Sequence, residues 1–311
     1  MKQSKRTDTK RREVNGVILL DKPSGITSNA ALQFVKRLYN ADKAGHTGSL
    51  DPLASGLLPI CLGEATKIST FLLDADKAYA VECRLGITTD SGDADGQVLV
   101  ERPLPVLTID AIEGVIARFR GKIMQVPPMH SAIKRAGQPL YRLAHKGITV
   151  AREARPVTIY ALVLEAYTPP LLRLAVRCSK GTYIRSLVED IGAALGCGAH
   201  VTVLRRTAVA GATLAQAHTP DQLSVLAAQG VAMLDDQLVA MEDMLADWPR
   251  VHLDAEAVYR LTSGQGVALP ARPRQDLIWL YGPGQRLLGI GEVEKSGRIV
   301  PKRMLKHAGE E

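Results

Sequence analysis

Residues 44–56 read AGHTGSLDPLASG, and the apolar run LLPICL follows directly at 57–62. The loop holds three glycines and a single carboxylate, Asp51, immediately before Pro52. The apolar run predicts a buried strand after the loop. Asp51 can be a turn residue or a helix cap, with proline at the first helical position. It can also be a nucleophile aimed at a substrate, and the pattern of the loop alone leaves both interpretations open.

The composition indicates a globular protein of ordinary core size. The 311 residues are 46% hydrophobic, enough for about two domains of ~150 residues each. No run of about 18 apolar residues occurs, and the N-terminus lacks the apolar segment of a secretory signal. We therefore expect a cytoplasmic protein that does not enter a membrane. The four cysteines are scattered without a C-x-x-C pair, and the seven histidines do not cluster, so we expect buried thiols and no metal site.

The charge distribution favours a polyanionic partner. The formal net charge is +7 and the isoelectric point about 9.2. Basic residues crowd the start of the chain, which predicts a disordered basic tail over 1–14. The segment 129–156 carries Lys134, Arg135, Arg142, Lys146, Arg152 and Arg155 against one acid, Glu153. This segment is either a surface arm or a plain solvated loop, and its own sequence favours neither.

Hydrophobic periodicity predicts strands and helices in alternation, followed by a second, β-rich unit. The predicted strands cover 16–25 (closed by a Pro-Ser-Gly turn), 57–62, 78–87, the start of 171–196, and 201–209. The predicted helices begin at Thr27 or Ser28, after Gly63, at Thr108, after Gly181-Thr182-Tyr183, and at Thr219-Pro220, the last running to about Asp247. Trp248-Pro249 marks a boundary between domains at 15–249 and 250–311, and the second consists mostly of short strands with Gly/Pro turns.

Several familiar site motifs are absent or incomplete. The chain has no G-x-x-x-x-G-K-[ST] phosphate loop, no G-x-G-x-x-G after a strand and no G-x-S-x-G elbow. The stretch DSGDADG suggests a calcium loop, but Ser91 and Arg102 would fill the first and twelfth positions, so we interpret it as a turn. His46, Ser49 and Asp51 lie within one short loop and can hardly converge as a catalytic triad.

Arg185 lies in the first turn of the helix predicted after Tyr183, where a cation opposes the helix dipole. A cation in that place indicates an anionic partner, which is either a phosphate or a carboxylate such as Asp51. Pairing with Arg185 would lower the pKa of Asp51 and keep it ionised, as a nucleophilic carboxylate requires.

The following blocks together resemble the TruB family of pseudouridine synthases, bacterial type: GVILLDKPSGITS, KAGHTGSLDPLASGLLPICLGEATK, AYAVECRLGITTDSGDADG and CSKGTYIRSLVEDIGAALGCGAHVTVLRR. The resemblance runs from about Asn15 to Val209, and the G-H-T-G-x-L-D-P block is highly specific. It implies an α/β (α+β) fold with a central mixed, mainly antiparallel sheet flanked by helices. The C-terminal part resembles, more loosely, a small PUA-like RNA-binding domain.

The resemblance also implies an activity: isomerisation of the uridine at position 55 in the TΨC loop of tRNA to pseudouridine, without cofactor or metal. The basic segment 129–156 then matches an inserted arm that contacts the RNA, and we expect a monomer. Two other classes stay open on the residues alone, a tRNA-binding module without chemistry and a small-molecule hydrolase with an aspartate nucleophile.

Individual residues match family positions with stated roles. The resemblance implies that Asp51 is the catalytic aspartate and that it acts on a flipped-out uridine. It also implies that Arg185 is the partner of Asp51. Tyr79 matches the aromatic residue that packs on the uracil and is a candidate to take the C5 proton. The remaining matches are substrate-binding positions: His46, Tyr183, Leu204 and Lys22. The glycines of the loop are expected to let RNA and backbone approach the carboxylate closely.

Overall fold

The computed structural model describes residues 11–131, 133–135, 137–144, 146–268, 273 and 275–306. Residues 1–10, most of the predicted basic tail, lie outside the described residues. Residues 11–14 belong to the folded part of the chain, because Arg12 is ion-paired with Asp235 and Val14 is buried in the core. The prediction that the disordered tail extends to residue 14 is therefore wrong for its last four residues.

The strands and helices alternate through the first two thirds of the chain. The strands are β1 (Gly16–Lys22), β2 (Ala44–His46), β3 (Ser55–Leu62), β4 (Lys77–Leu85), β5 (Ile87–Thr89), β6 (Val98–Glu101), β7 (Gly121–Gln125), β8 (Lys134–Arg135), β9 (Gln138–Pro139), β10 (Arg155–Thr168), β11 (Leu171–Cys178), β12 (Ala199–Val209), β13 (Ala212–Thr213), β14 (Arg250–His252), β15 (Val267–Ala268), β16 (Leu277–Tyr281), β17 (Leu287–Val293) and β18 (Arg298–Met304). The α-helices are α1 (Ser28–Leu38), α2 (Ser69–Leu73), α3 (Ile109–Ala117), α4 (Leu140–Ala144), α5 (Ile184–Ala194), α6 (Pro220–Gln229), α7 (Val231–Asp235) and α8 (Ala255–Thr262).

The larger sheet has the strand order β1-β3-β12-β4-β11-β10-β7, with β2 beside β3 and β13 beside β12. Neighbouring strands are antiparallel, except that β12 runs parallel to β3. Helices α1, α3 and α5 pack on one face through apolar residues such as Val35, Ile116 and Leu187. The predicted mixed, mainly antiparallel sheet with flanking helices is confirmed.

Strand β1 shows why this sheet is central. Ile18 and Leu20 enter the hydrophobic cluster beneath α1, α3 and α5, whereas Val17 and Leu19 enter a second cluster on the opposite face. Successive strand residues point to opposite faces, so burial of both faces explains the continuous apolar sequence. The helix that follows begins where predicted, because the Thr27 hydroxyl accepts the N–H of Ala30 at 3.1 Å.

The chain beyond Trp248 forms a second sheet in the order β14-β16-β17-β18-β15. Trp279 of β16 is fully buried and packs against Trp248, with ring centroids 5.7 Å apart. Its indole N–H donates to the carbonyl of Leu245 at 3.2 Å, so this sheet is attached to the first domain. The predicted β-rich C-terminal unit is confirmed. Its helix α8, which the Asp254 side chain caps, was not predicted.

The helix predicted from Thr219 to about Asp247 is wrong in length. The Thr219 cap and Pro220 start it as expected, but α6 ends at Gln229. Gly230 has φ +136°, outside the helical region, so α7 is a separate short helix. The four cysteines, all within the described ranges, are buried free thiols, as expected. Within the same ranges, no helix combines the length and the apolar character needed to cross a membrane.

Candidate active site

The loop that contains Asp51 is fixed to two surrounding elements. The Ser28 hydroxyl at the start of α1 both accepts the N–H of Leu50 at 2.7 Å and donates to its carbonyl at 2.9 Å. Arg206 of β12 donates to the carbonyl of Gly48 at 3.0 Å. No helix begins at Pro52, which excludes the helix-cap interpretation of the preceding aspartate. The carboxylate is therefore presented by a loop that is held in place on both sides.

The glycine that ends this loop is required by the sheet. Gly56 has φ +102°, and a Cβ there would lie 2.3 Å from the carbonyl oxygen of Arg206. The two residues are paired where β3 and β12 run parallel. At this position the absence of a side chain makes room for the protein's own backbone, rather than for RNA as expected from the sequence.

Arg185, the second residue of α5, connects four segments of the chain. Its guanidinium lies 2.9 Å from the carboxylate of Asp51 and 3.4 Å from that of Asp93. It also donates to the carbonyls of Ser91 at 2.7 Å and His130 at 2.8 Å. The predicted Asp51–Arg185 contact is present, and both carboxylates depend on the same cation for their position.

The pKa of Asp51 is raised above its usual value, contrary to the direction expected from the sequence. Burial is the largest cause; Arg185 opposes it, and the second carboxylate, Asp93, adds to it. The Asp51 side chain is still 43% exposed, because it stands at the floor of an open cavity with protein on most sides. Arg185 thus offsets part of the cost of ionising a carboxylate in a poorly hydrated place.

Five of the predicted site residues line one cavity of about 560 Å³: Asp51, Tyr79, Tyr183, Arg185 and Leu204. Other side chains that line it are Leu73, Lys77, His130, Tyr141, Ile184 and Arg206. Apolar and aromatic walls around one carboxylate are typical of a pocket for a planar ring. The sheet and α5 thus bring together residues from distant parts of the sequence.

Two predicted substrate-binding residues do not line this cavity. Lys22 is fully buried behind it, donating to the carbonyls of Pro23 at 2.9 Å and Ile26 at 2.8 Å, and burial lowers its pKa to about 8. His46 lies in β2, where its buried Nδ1 has no hydrogen-bond partner among the described residues. Burial lowers the pKa of His46 as well, with Arg206 acting in the same direction.

The basic segment leaves the sheet between β7 and β10, which pair with each other. At its root Gln125 holds the backbone of Tyr183 at two points, accepting the N–H at 2.8 Å and donating to the carbonyl at 3.0 Å. His130 and Tyr141 of the segment reach the cavity wall. The segment is therefore an arm attached beside the candidate site. Its residues 132, 136 and 145 are not among the described residues.

Three residues at the site were missed or misread from the sequence: Asp93, Gln125 and Arg206. Asp93 was assigned to a plain turn, yet it is 5% exposed and faces Arg185. The signal that could have found it is the number of acids in that turn. Arg206 and Gln125 carry no such signal, because their burial depends on which strands become neighbours.

Comparison with known proteins agrees with this geometry. Family descriptions match three consecutive parts of the chain: "TruB family pseudouridylate synthase (N terminal domain)" at residues 36–184, "tRNA pseudouridylate synthase B C-terminal domain" at 185–246, and "Pseudouridine synthase II TruB, C-terminal" at 249–305. The chain is 52% identical over 297 residues to tRNA pseudouridine synthase B of Pseudomonas fluorescens (strain Pf0-1), covering 95% of this chain and 97% of the relative. It is 51% identical over 294 residues to the protein of that name from Nitrosococcus oceani, covering 94% and 96%.

Solved structures show the same fold. A chain of "Crystal Structure of a Cbf5-Nop10-Gar1 Complex" aligns with a TM-score of 0.74 at 27% identity, covering 93% of this chain and 84% of that one. A chain of "Structure of H/ACA RNP bound to a substrate RNA containing 2'-deoxyuridine" aligns with a TM-score of 0.72 at 25% identity, covering 94% and 86%. Fold and site together define a pseudouridine synthase, an isomerase that converts uridine to pseudouridine. Within that class, the chain belongs to the TruB family.

Proposed function

We propose that this enzyme isomerises the uridine at position 55, in the TΨC loop of tRNA, and that Asp51 is its nucleophile. The observation that carries the proposal is the Asp51 carboxylate at the cavity floor, 2.9 Å from the Arg185 guanidinium. Relatives that are 52% identical over nearly the whole chain are named for tRNA, which supports tRNA as the substrate here. We also propose that the enzyme acts in the cytoplasm.

The reaction breaks the bond between C1′ and N1, rotates the uracil and joins C5 to C1′. An ionised Asp51 can serve it in three ways: by adding to C6 of the uracil, by bonding to C1′, or by deprotonating the sugar. In each, the detached base must be kept in place until it is rejoined. The cavity, with Tyr79 on one strand and Leu204 on the next, provides such an enclosure.

A uridine inside a folded RNA loop must leave its stack to reach Asp51, at a cost of a few kcal/mol. We assign Tyr79 to packing on the flipped uracil, and Tyr183 and Leu204 to lining the rest of the base pocket. His46 is assigned to contact with the target nucleotide. Lys22 supports the pocket wall from behind, since it has no exposed surface.

The arm provides the electrostatic part of the proposal. The side chains of Lys134, Arg142, Lys146 and Arg155 are exposed on it, and His130 and Tyr141 of the same arm line the cavity. Exposed cations that neutralise phosphates release counterions, so binding should weaken steeply as salt rises. We propose that the enzyme acts as a monomer.

The test is incubation of the enzyme with an unmodified tRNA transcript, followed by mapping of pseudouridine along the chain. We expect one modified position, in the TΨC loop, and no product when that uridine is replaced by cytidine. A product elsewhere in the tRNA would overturn the assignment of position. Tight binding without any product would favour a tRNA-binding module, and a flat salt response would favour a small-molecule enzyme.

A further inference from the structure

Arg206 is a buried cation that none of the roles above uses. Only 1% of the residue is exposed. Its Nε donates to the carbonyl of Leu57 at 2.7 Å and its Nη2 to that of Gly48 at 3.0 Å. Among the residues that the structure describes, no carboxylate is ion-paired with it. Burial of an uncompensated charge is costly, so its retention at the wall of the active site calls for an explanation.

The cross-strand neighbour of Arg206 is Tyr79. Antiparallel pairing of β4 and β12 places the two residues opposite each other, so the guanidinium lies beside the phenol, and each affects the pKa of the other. Both side chains line the cavity that contains Asp51. The guanidinium thus links the loop that presents the carboxylate, through Gly48, to the aromatic residue assigned to the base.

Hydrogen-bond chemistry allows one direction for a bond between these neighbours. A guanidinium has only donors, so any such bond is donated by Arg206 and accepted by the phenol oxygen of Tyr79. In that arrangement the proton of the phenol points away from Arg206, towards the other residues that line the cavity. The Tyr79 hydroxyl is then free to donate its proton to the base, and the Arg206 cation lies beside the phenol oxygen.

We propose that Arg206 is a positioning residue that acts through Tyr79: it directs the phenol proton into the cavity and stabilises the negative charge that forms on the oxygen when that proton leaves. The inference rests on the proposed reaction at Asp51. The product bears a hydrogen on N1 and none on C5, so one proton must leave C5 and one must join N1.

Tyr79 can perform both transfers with the atoms in balance. When the C1′–N1 bond breaks, its electron pair stays on N1, which takes the proton of the Tyr79 hydroxyl and leaves a phenolate facing Arg206. The C5–C1′ bond then forms, and the phenolate takes the C5 proton. The phenol is restored, and the net change is one proton moved from C5 to N1.

The groups around Tyr79 act on it in opposite directions. Burial raises the pKa of its phenol, and the Asp51 carboxylate and Cys178 add to that rise. Arg206 is the group that opposes it, through its charge and its hydrogen bond. Lys77 also lines the cavity, two residues earlier on β4, but donates to the backbone carbonyls of Leu73 and Ala75.

The experiment is a double-mutant cycle in single-turnover reactions with an unmodified tRNA transcript. Arg206→Met and Arg206→Lys are each made in the wild type and in Tyr79→Phe. Loss of the cation beside the phenol oxygen should slow the wild type about 10- to 100-fold, but slow Tyr79→Phe by less than about threefold. Multiplicative losses in the two backgrounds would show that Arg206 only supports the loop, and would overturn the proposal.

The matched control is Arg205→Met, since that neighbouring arginine is bonded to Asp21 and Ser55 and does not line the cavity. It should behave alike in both backgrounds.

A second measurement leaves Arg206 intact: fluorinated tyrosine at position 79 makes the phenol more acidic. We expect the basic limb of the pH–rate profile to move to lower pH in step with that acidity, and an unmoved profile would refute the proton transfer. Assay of Asp51→Asn alongside separates the two ideas, because product from that variant would overturn only the nucleophile.

Discussion

Replacing Asp93 with asparagine tests whether the two carboxylates around Arg185 act as one unit. One oxygen of Asp93 faces the guanidinium at 3.4 Å, while the other accepts from the Ser91 hydroxyl and the Asp95 N–H. In asparagine the amide nitrogen must replace one of these two oxygens, and each oxygen faces a group that can only donate, the Arg185 guanidinium or the Asp95 N–H. The substitution therefore removes a hydrogen bond as well as a charge.

The size of the effect follows from the distance and the burial. Two unit charges 3.4 Å apart interact by about 5 kcal/mol at an effective dielectric constant of about 20. Removal of one partner from a buried pair costs about 3–5 kcal/mol in practice. Because Arg185 keeps Asp51 as a second carboxylate partner, we expect the free energy of unfolding to fall by less than this, about 2–3 kcal/mol. We expect kcat to fall at least about tenfold, because Arg185 is less well held beside Asp51.

The pH–rate profile gives a second, independent readout. Asp93 is one cause of the raised pKa of Asp51. Without that negative charge the pKa of Asp51 falls, so the acid limb of kcat should move to lower pH even as the maximal rate decreases. The assay is single-turnover pseudouridine formation from pH 4 to 8, with urea unfolding of the same variant and Asp95→Asn, which is exposed, as control. An unchanged kcat together with an unmoved acid limb would refute the role of Asp93.

Three further outcomes are expected. Gly56→Ala should lower the free energy of unfolding by about 3–5 kcal/mol, since its Cβ meets the Arg206 carbonyl in a left-handed conformation, and wild-type stability would contradict this. Lys22 has a pKa of about 8 when folded and about 10.4 when unfolded, so the unfolded chain binds more protons between these values. Wild-type stability should therefore rise relative to Lys22→Met from pH 8 to 10, and parallel curves would contradict the shift. Deletion of residues 140–148 should weaken tRNA binding and flatten its salt dependence in filter binding, and unchanged affinity would make the arm a passive loop.

The elements that could be predicted from the sequence are those whose signal lies in their own residues. Strand β1 is continuously apolar over residues 17–20 because both of its faces are covered, and α1 is marked by the Thr27 cap. The break at Gly230 was missed because a glycine within a helical pattern is often tolerated, and only the observed φ of +136° shows that the helix ends there.

The site was predictable only where residues carry their own chemistry. Asp51 and Arg185 were paired correctly from a loop carboxylate and a cation at a helix start. The direction in which the pKa of Asp51 shifts was predicted wrongly, because burial raises this pKa by more than the nearby Arg185 lowers it. Arg206 gave no signal, since an arginine in a strand is usually exposed; it is buried because β12 lies between β3 and β4.

The most direct test of the central claim compares the wild type with Asp51→Asn on the same unmodified tRNA transcript. Pseudouridine is mapped by position, and the affinity for tRNA is measured in parallel. We predict that the wild type modifies the TΨC-loop uridine, and that Asp51→Asn forms no detectable product while binding tRNA with nearly unchanged affinity. Turnover retained in Asp51→Asn would contradict the assignment of this carboxylate as the nucleophile.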